Sequence, residues 1–384
     1  MRKEITRPPI KSLACVESEC ELYGVRDAGN LTVRKVYGKE QIRYLRCTKC
    51  GSEFSERKQT ALWNTKVSES RAVSVAEHLS EGCSLESTAR LAKVDISVVE
   101  RLNKVIGKHG RAFHEAHVQN VEVEALQADE RHGFSESKGQ AAWEAEVIDP
   151  KSKLILAHEQ GARDESLIRR LYAETTKRLA NRHNLTLFTD GEHSYASLFA
   201  EYFGVAYQPS RKGSKGRRPK IRYRIPRSLA HVQIVKRREG ARVVEVDIRF
   251  THGSRKRAQK SLVALGYATP NTSAIERRNG TARRMSAYQV RKSIAFSRRP
   301  DVKRNLAWWG ITVYNWCRRH RSLRSPFDMP CGKKSTSSVL PPWLLAWLTI
   351  FSQFARSCSP LSISNSSADN LTELPKYLTI DHVN

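Results

Sequence analysis

Four cysteines near the N-terminus limit the folds open to this chain more than any other feature. Cys15 and Cys20 are separated by four residues, and after a longer interval Cys47 and Cys50 are separated by two. Structural zinc is bound tetrahedrally by four thiolates, and two short turns supply them in pairs. We therefore predict a zinc-binding unit over residues 11–60 with one structural Zn²⁺. Four unrelated buried cysteines are the alternative.

The residues around these cysteines support a small β unit. The segment between the pairs predicts two short strands that turn at Gly38. The remaining cysteines lack partners at ligand spacing and are expected to be ordinary thiols; they are Cys83, Cys317, Cys331 and Cys358.

The charge of the chain points to a polyanionic partner. The 384 residues include 67 Lys and Arg against 39 Asp and Glu, so the formal net charge is +28. Such self-repulsion argues against a metabolic enzyme for small molecules and favours nucleic acid as the partner. The N-terminus has no apolar signal region, and no run of 18 uncharged apolar residues occurs, so we expect no membrane association.

Residues 68–112 have a helical period. Gly82 is expected to end one helix, Ser84 to cap the next, and a turn at residues 93–95 to lead into a third. Three short helices with a tight turn between the last two predict a helix-turn-helix, and a plain helical linker is the alternative. Three basic side chains would meet DNA here: Arg101, Lys104 and Lys108.

Strands and helices alternate over residues 121–210. VEVEALQADE predicts a strand ending at Asp129, a hairpin turns at Asp149-Pro150, and LTLFTDG predicts a buried strand ending at Asp190. Amphipathic helices follow the hairpin and the second acidic strand, and VAYQP predicts a short final strand. The order β-β-β-α-β-α-β is that of a ribonuclease-H-like sheet, so we predict a multidomain α/β protein.

Three acidic residues are candidates for metal binding. Asp129 and Asp190 end strands, and Glu276 lies in a basic helix. Carboxylates at adjacent strand ends repel one another unless hard cations lie between them, and two Mg²⁺ ions can serve an in-line phosphoryl transfer. Spacing alone has little weight among 39 acidic residues. Glu130 is expected to face away from Asp129, so its replacement by Gln should have a mild effect.

Basic residues accompany the third carboxylate. Asn279 and Arg283 share a helix face with Glu276, and Arg277 and Arg284 follow a neighbouring face. A metal-binding carboxylate beside cations suits phosphoryl transfer on DNA; a solvated basic face is the alternative. The segment 211–224 predicts a basic loop that contributes further DNA contacts. Its candidate residues are Arg211, Lys212, Lys215, Arg217, Arg218 and Lys220.

The C-terminal part divides in two. Leu306, Trp309, Val313 and Trp316 recur at helical spacing, which favours core packing. Residues 335–384 lose the basic character of the chain, and we expect a divergent, poorly ordered tail with no chemistry.

Taken in this order, the motifs resemble those of insertion-sequence transposases of the DDE class, particularly the insertion-sequence-one type. The matching features are the four-cysteine zinc ribbon, the helix-turn-helix, and a catalytic domain over residues 121–325. Within that domain the matching motifs are Ala128-Asp129-Glu130, Thr189-Asp190-Gly191 and Ile275-Glu276-Arg277-Arg278-Asn279. The resemblance implies that Asp129, Asp190 and Glu276 form the metal-binding triad of a ribonuclease-H-like fold.

The resemblance also implies a function. A bacterial transposase would cut double-stranded DNA at element ends and join the ends to a target, using two Mg²⁺ or Mn²⁺ ions. It would assemble as a homo-oligomer on DNA, in the cytoplasm and associated with the nucleoid. A catalytically silent DNA-binding remnant or regulator is the first alternative, and an RNA-processing nuclease of the same fold is the second.

Overall fold

Two antiparallel strands that turn at Gly38 follow the first cysteine pair, as predicted. The computed structural model describes residues 9–337, apart from gaps at 39, 59–61, 64, 66, 211–217, 241, 291–294, 319, 324 and 329–333. A third strand completes an antiparallel sheet of order β1-β2-β3. Its strands are β1 (Leu31–Tyr37), β2 (Ile42–Cys47) and β3 (Glu53–Ser55). Gly38 has a φ of 70°, which glycine adopts without the strain that a Cβ would cause.

Three helices come next: α1 (Glu69–Ser80), α2 (Leu85–Ala92) and α3 (Ile96–His117). The Ser84 hydroxyl accepts the backbone N–H of Ser87 and caps α2, and Lys93 ends α2 in the left-handed region. The prediction of three short helices was wrong for α3, which has 22 residues. Its apolar face continues to the buried His114, whose ring lies 2.8 Å from the carbonyl of Leu156, so packing extends the helix.

Ten strands lie between residues 125 and 253. They are β4 (Ala125–Arg131), β5 (Phe134–Ser135), β6 (Ser137–Ala141), β7 (Trp143–Ile148), β8 (Ile155–Gly161), β9 (Leu185–Thr189), β10 (Val205–Tyr207), β11 (Arg222–Arg224), β12 (Leu229–Glu239) and β13 (Arg242–Gly253). Six of them form one mixed sheet of order β13-β12-β9-β4-β7-β8. Strands β4, β9 and β12 are parallel, and the other pairs are antiparallel.

The identity of one sheet strand differs from the prediction. VAYQP does form a strand, β10, but it pairs only with β11 in a separate exposed ribbon. The fifth strand of the ribonuclease-H-like order is β12, from the segment HVQIVKRR, which pairs in parallel with β9. The first six residues of β12 are buried whereas β10 is exposed, so burial of apolar side chains selects β12. The six-stranded mixed sheet is compatible with a ribonuclease-H-like fold.

Five further helices accompany the sheet: α4 (Glu165–Arg178), α5 (His193–Phe203), α6 (Arg255–Leu265), α7 (Ser273–Met285) and α8 (Pro300–Thr312). Apolar side chains of α4 and α5 pack on one face, in a core with Leu126, Ala128 and Leu187. Helices α6, α7 and α8 pack on the other face. A turn of π-helix extends α8 over Val313–Cys317.

Helix α8 joins the helices of residues 69–117 to the sheet. A Cβ at Gly107 of α3 would lie 2.5 Å from backbone and side-chain atoms of Asn305, so only glycine permits this approach. The indole N–H of Trp309 donates to the Ala76 carbonyl at 2.9 Å. The four residues of the apolar stripe, Leu306, Trp309, Val313 and Trp316, are all buried, which confirms the prediction of core packing.

Little of the C-terminal tail lies in the described part. A two-stranded ribbon forms from β14 (Ser325–Asp328) and β15 (Lys334–Ser337). The rest of the predicted tail, residues 338–384, lies outside the described residues. Within the described ranges, no helix has the length and apolar character needed to cross a membrane.

Candidate active site and zinc site

The four N-terminal cysteines converge on one point. Their sulfur atoms all lie within 4.8 Å of one another; Cys15 and Cys50 are 3.7 Å apart, and Cys20 and Cys47 are 3.9 Å apart. A tetrahedral zinc with Zn–S bonds of about 2.3 Å requires sulfurs separated by about 3.8 Å. The cluster therefore has the size and shape of a Cys₄ zinc site.

Hydrogen bonds around the cysteines favour thiolate at one position. Burial opposes ionisation of Cys47, but the backbone N–H groups of Cys50 and Lys49 and the Asn30 amide lower its pKa to about 6. The Asn30 Nδ2 donates to Cys47 Sγ at 3.1 Å. By contrast, burial raises the pKa of Cys15 to about 12. Zinc binds thiolates, so a bound ion would release the proton that burial holds on Cys15.

The two aspartates meet at the carboxyl ends of parallel strands. The register of β4 and β9 ends at Ala128 opposite Thr189, and Asp129 and Asp190 are the next residues on each chain segment. The predicted end of the first strand was wrong, because β4 continues for two residues past Asp129. These two residues pair with β7, as does Asp129, which lies opposite Glu146. The aspartates are therefore neighbours at one edge of the parallel strands.

A buried glutamine positions the third acid. The side-chain carbonyl of Gln127 on β4 accepts the N–H groups of Ala274 and Ile275 in the first turn of α7, and its amide donates to the Asn271 carbonyl. These N–H groups have no partners within the helix, so Gln127 fixes the start of α7 to the sheet. Glu276 follows in the same turn of α7, and Gln127 lies two residues before Asp129 on β4.

All three acids line a single open pocket of about 580 Å³. Two residues predicted to share a helix face with Glu276 also line it, namely Asn279 and Arg283. Cations from β12 complete the same wall, at Lys236 and Arg238. The pocket thus has acidic groups at its base and basic groups at its side, as a phosphodiester bound through divalent cations requires.

The electrostatics of the pocket oppose ionisation of both aspartates. Burial and the neighbouring Asp190 raise the pKa of Asp129 to about 7. Burial also raises the pKa of Asp190. Asp129 keeps its place through two hydrogen bonds, from the Glu130 backbone N–H and the Asn279 amide, both at 2.8 Å. An all-oxygen donor set in which two carboxylates resist ionisation without a counter-ion fits hard divalent cations.

The carboxylates share the pocket without closing on one point. In the part of the chain that the structure describes, the cysteines are the one group of metal-binding residues whose ligand atoms lie within 4.8 Å of each other. Glu276 is held by Lys236 Nζ and by the Thr272 hydroxyl, which donates to Oε1 at 2.6 Å. Burial opposes ionisation of Glu276, but these contacts lower its pKa.

Glu130 lines the pocket as well, which the sequence reasoning missed. Side chains do alternate along β4: Asp129 contacts α7, whereas Glu130 lies beside Tyr195 of α5. Both side chains reach the same pocket because it opens at the end of the sheet. Burial and Asp190 raise the pKa of Glu130 to about 7, and Arg163 lies 3.6 Å away. The expectation of a mild Glu130→Gln effect therefore loses its physical basis.

Beneath the pocket lies a buried network of ion pairs. Glu146 accepts from Arg131 at 2.6 Å and from Arg278 at 2.9 and 3.1 Å, and all three side chains are almost fully buried. Arg131 also donates a hydrogen bond to Glu144, and another to the side-chain Oδ1 of Asn279 at 3.1 Å. Asn279, which the sequence assigned to DNA, is therefore buried and connects this network to Asp129.

The remaining candidate DNA contacts are dispersed. Five are exposed: Arg101, Lys104 and Lys108 on α3, and Arg277 and Arg284 on α7. Arg101 donates to the Trp63 carbonyl, and Arg284 lies 3.8 Å from Glu81. Arg218 and Lys220 are exposed before β11. The other loop candidates lie outside the described residues, namely Arg211, Lys212, Lys215 and Arg217.

Comparison with known proteins adds little. No protein-family model matches the chain, and no curated protein matches it. Among solved structures, the crystal structure of the Mos1 strand transfer complex aligns with 8% identity and a TM-score of 0.16. The alignment covers 36% of this chain and 55% of that chain, about half its length. A likeness this slight carries no argument, so the function is argued from the residues themselves.

Proposed function

We propose that the chain is a DNA transposase of the DDE class that cuts element ends and joins them to target DNA by metal-dependent phosphoryl transfer. One observation carries this proposal. Asp129, Asp190 and Glu276 come from three distant segments, yet they line one pocket at the carboxyl ends of parallel strands. Cations of β12 and α7 line the same pocket. The insertion-sequence-one type and the DNA partner follow from the motifs of the sequence.

The pocket residues have complementary tasks. The three carboxylates would hold two Mg²⁺ or Mn²⁺ ions, which supply activation of the attacking oxygen and stabilisation of the leaving oxygen. Asn279 orients the Asp129 carboxylate, and Gln127 fixes the helix that carries Glu276. Lys236, Arg238 and Arg283 would bind phosphate oxygens. Neither cleavage nor joining requires a covalent enzyme intermediate, so the site needs no serine or tyrosine nucleophile.

Other parts of the chain would hold the DNA. The zinc unit and the helices α2 and α3 are the proposed readers of the element ends, with exposed Arg101, Lys104 and Lys108 on α3. A net charge of +28 supports tight association with the DNA backbone. We propose that the protein acts as a homo-oligomer on DNA, since two element ends must be brought together.

The test separates chemistry from binding. Asp129→Asn, Asp190→Asn and Glu276→Gln each keep the side-chain shape but remove one negative charge. We expect cleavage and joining of DNA that carries the sequences flanking the gene to fall by orders of magnitude in Mg²⁺, while gel-shift affinity is retained. Glu245→Gln is the matched control, because Glu245 is exposed on β13 and lies outside the pocket. Cleavage by Asp190→Asn at the wild-type rate would exclude this function.

One observation favours the second candidate, a silent DNA-binding remnant or regulator. Glu276 is already paired with Lys236, so the triad is not assembled around a metal position. Wild-type protein that binds the DNA tightly but never cleaves it, in Mg²⁺ or Mn²⁺, would support the remnant. Cleavage of structured RNA without cleavage of DNA would instead indicate the RNA-processing nuclease.

A further inference from the structure

Lys236 has an unusual position for a phosphate-binding residue. Strand β12 pairs with β9 only as far as Gln233 opposite Thr189, and it then continues past the end of β9 while still paired with β13. Lys236 lies on this extension and points towards the first turn of α7. Its Nζ contacts the Glu276 Oε1 and lies 3.4 Å from the Thr272 hydroxyl.

This contact satisfies the carboxylate in a way that competes with metal. Thr272 donates to the same Oε1 atom that Lys236 contacts, so one oxygen of Glu276 already has an ammonium and a hydroxyl as partners. The hydrogen-bond donors to Asp129 and Asp190, by contrast, are neutral: the Asn279 amide and backbone N–H groups. A divalent cation that recruits all three carboxylates must therefore take Glu276 from Lys236.

We propose that Lys236 is a positioning residue which acts as an internal counter-cation: it holds Glu276 apart from the aspartates until a divalent ion displaces it. The inference rests on the proposed function, because it concerns the same metal-binding pocket. It has two consequences. Lys236 weakens binding of divalent cations to the DNA-free protein, and Glu276 joins the aspartates only when an ion is present.

The test measures metal binding rather than activity. Mn²⁺ binding to the DNA-free, full-length protein is titrated by electron paramagnetic resonance, after zinc has been loaded. A partly exposed ion pair contributes modestly, so Lys236→Met should tighten Mn²⁺ binding roughly fivefold. Lys236→Arg keeps the positive charge against Glu276 and should bind Mn²⁺ as the wild type does. Arg238→Met is the charge control, since Arg238 lines the same pocket on the same strand.

A double-substitution cycle identifies the mechanism. If Lys236 acts through Glu276, Lys236→Met should lose its advantage over Arg238→Met once Glu276 is replaced by Gln. Equal effects of Lys236→Met and Arg238→Met in the wild-type background would overturn the inference and leave only a general field effect. Unchanged Mn²⁺ affinity in Lys236→Met would overturn it as well.

The same titration separates this inference from the proposed function. Zinc-loaded wild-type protein that binds no Mn²⁺, or whose Mn²⁺ affinity is unchanged in Asp129→Asn, would contradict the metal-dependent function itself. Mn²⁺ binding that Asp129→Asn abolishes and Lys236→Met leaves unchanged would contradict the role of Lys236 alone.

Discussion

The substitution Glu146→Gln should lower the free energy of unfolding strongly, because it disrupts the buried ion pairs beneath the pocket. Glu146 is fully buried and accepts from two guanidinium groups, those of Arg131 and Arg278, which are 3% and 2% exposed. Gln keeps the shape but removes the charge, so Arg131 would depend on Glu144 for compensation and Arg278 would lose the carboxylate with which it is paired. Glu144 is already shared with Lys303.

The magnitude follows from this count of charges. Removing one partner of a buried ion pair costs about 3–5 kcal/mol, because the other charge stays buried without compensation. In a domain of this size, each kcal/mol lowers the melting temperature by about 2–4 °C, so we expect a decrease on the order of 10 °C. Urea unfolding followed by circular dichroism gives the free energy directly, and thermal unfolding gives the shift.

An exposed pair provides the comparison. Glu239 lies 3.5 Å from Arg237, and both side chains are more than two-thirds exposed, so Glu239→Gln should cost less than about 1 kcal/mol. A Glu146→Gln cost equal to that of Glu239→Gln would refute the reasoning, since it would mean that the guanidiniums find other compensation. Rescue is also expected: Glu146→Leu combined with Arg278→Met should be more stable than Glu146→Gln.

Three further results are expected. Metal analysis of the full-length protein should find about one equivalent of tightly bound zinc. Cys47→Ser should lose this zinc together with the fold of residues 11–60. A metal-free protein in which that unit is folded would exclude a structural zinc. If about six phosphates are contacted, DNA affinity should fall on the order of 10³-fold between 50 and 200 mM salt. A DNA affinity that does not change with salt in a filter-binding assay would contradict the proposal that basic residues bind the DNA backbone. Without divalent ions, the contribution of Asp129 to the free energy of unfolding should decline as the pH rises from about 4 to 7, because the pKa of Asp129 is raised to about 7 and the folded state therefore holds the proton more tightly. Asp129→Asn should reduce that slope in urea unfolding between pH 5 and 8, and an unchanged slope would show that Asp129 ionises freely.

Local patterns in the sequence predicted the elements well and their partners less well. Alternating apolar residues revealed the hairpin at Asp149, because half-buried strands have a period of two. The short segment LTLFT revealed the buried strand before Asp190. The same rule could not decide whether VAYQP or HVQIVKRR pairs with β9, since that choice depends on contacts between distant segments. Likewise it could not fix the end of β4, where pairing with β7 extends the strand past Asp129.

The candidate site shows the same division. The strand ends placed Asp129 and Asp190 together, and the helix face placed Asn279 and Arg283 with Glu276. Glu130 was not predicted because alternation separates side chains along the length of a strand, whereas near the end of the sheet Asp129 and Glu130 line one pocket. The role of Lys236 was not predicted because no local sequence pattern indicates that a strand will extend beyond the end of its neighbour. The basic residues at the end of the segment HVQIVKRR, which include Lys236, were the available signal.

The close packing of α3 against α8 limits which segments of the chain can be exchanged by recombination. Helices α1 to α3 are contiguous in sequence, yet their apolar core is completed by Leu306, Trp309 and Val313, nearly 200 residues later. Gly107 adds a steric requirement, since its partner at Asn305 leaves no room for a side chain. A recombination event that exchanged residues 68–117 alone would separate two halves of one core. Point substitution on the exposed face of α3, or exchange of both segments together, would keep this core intact.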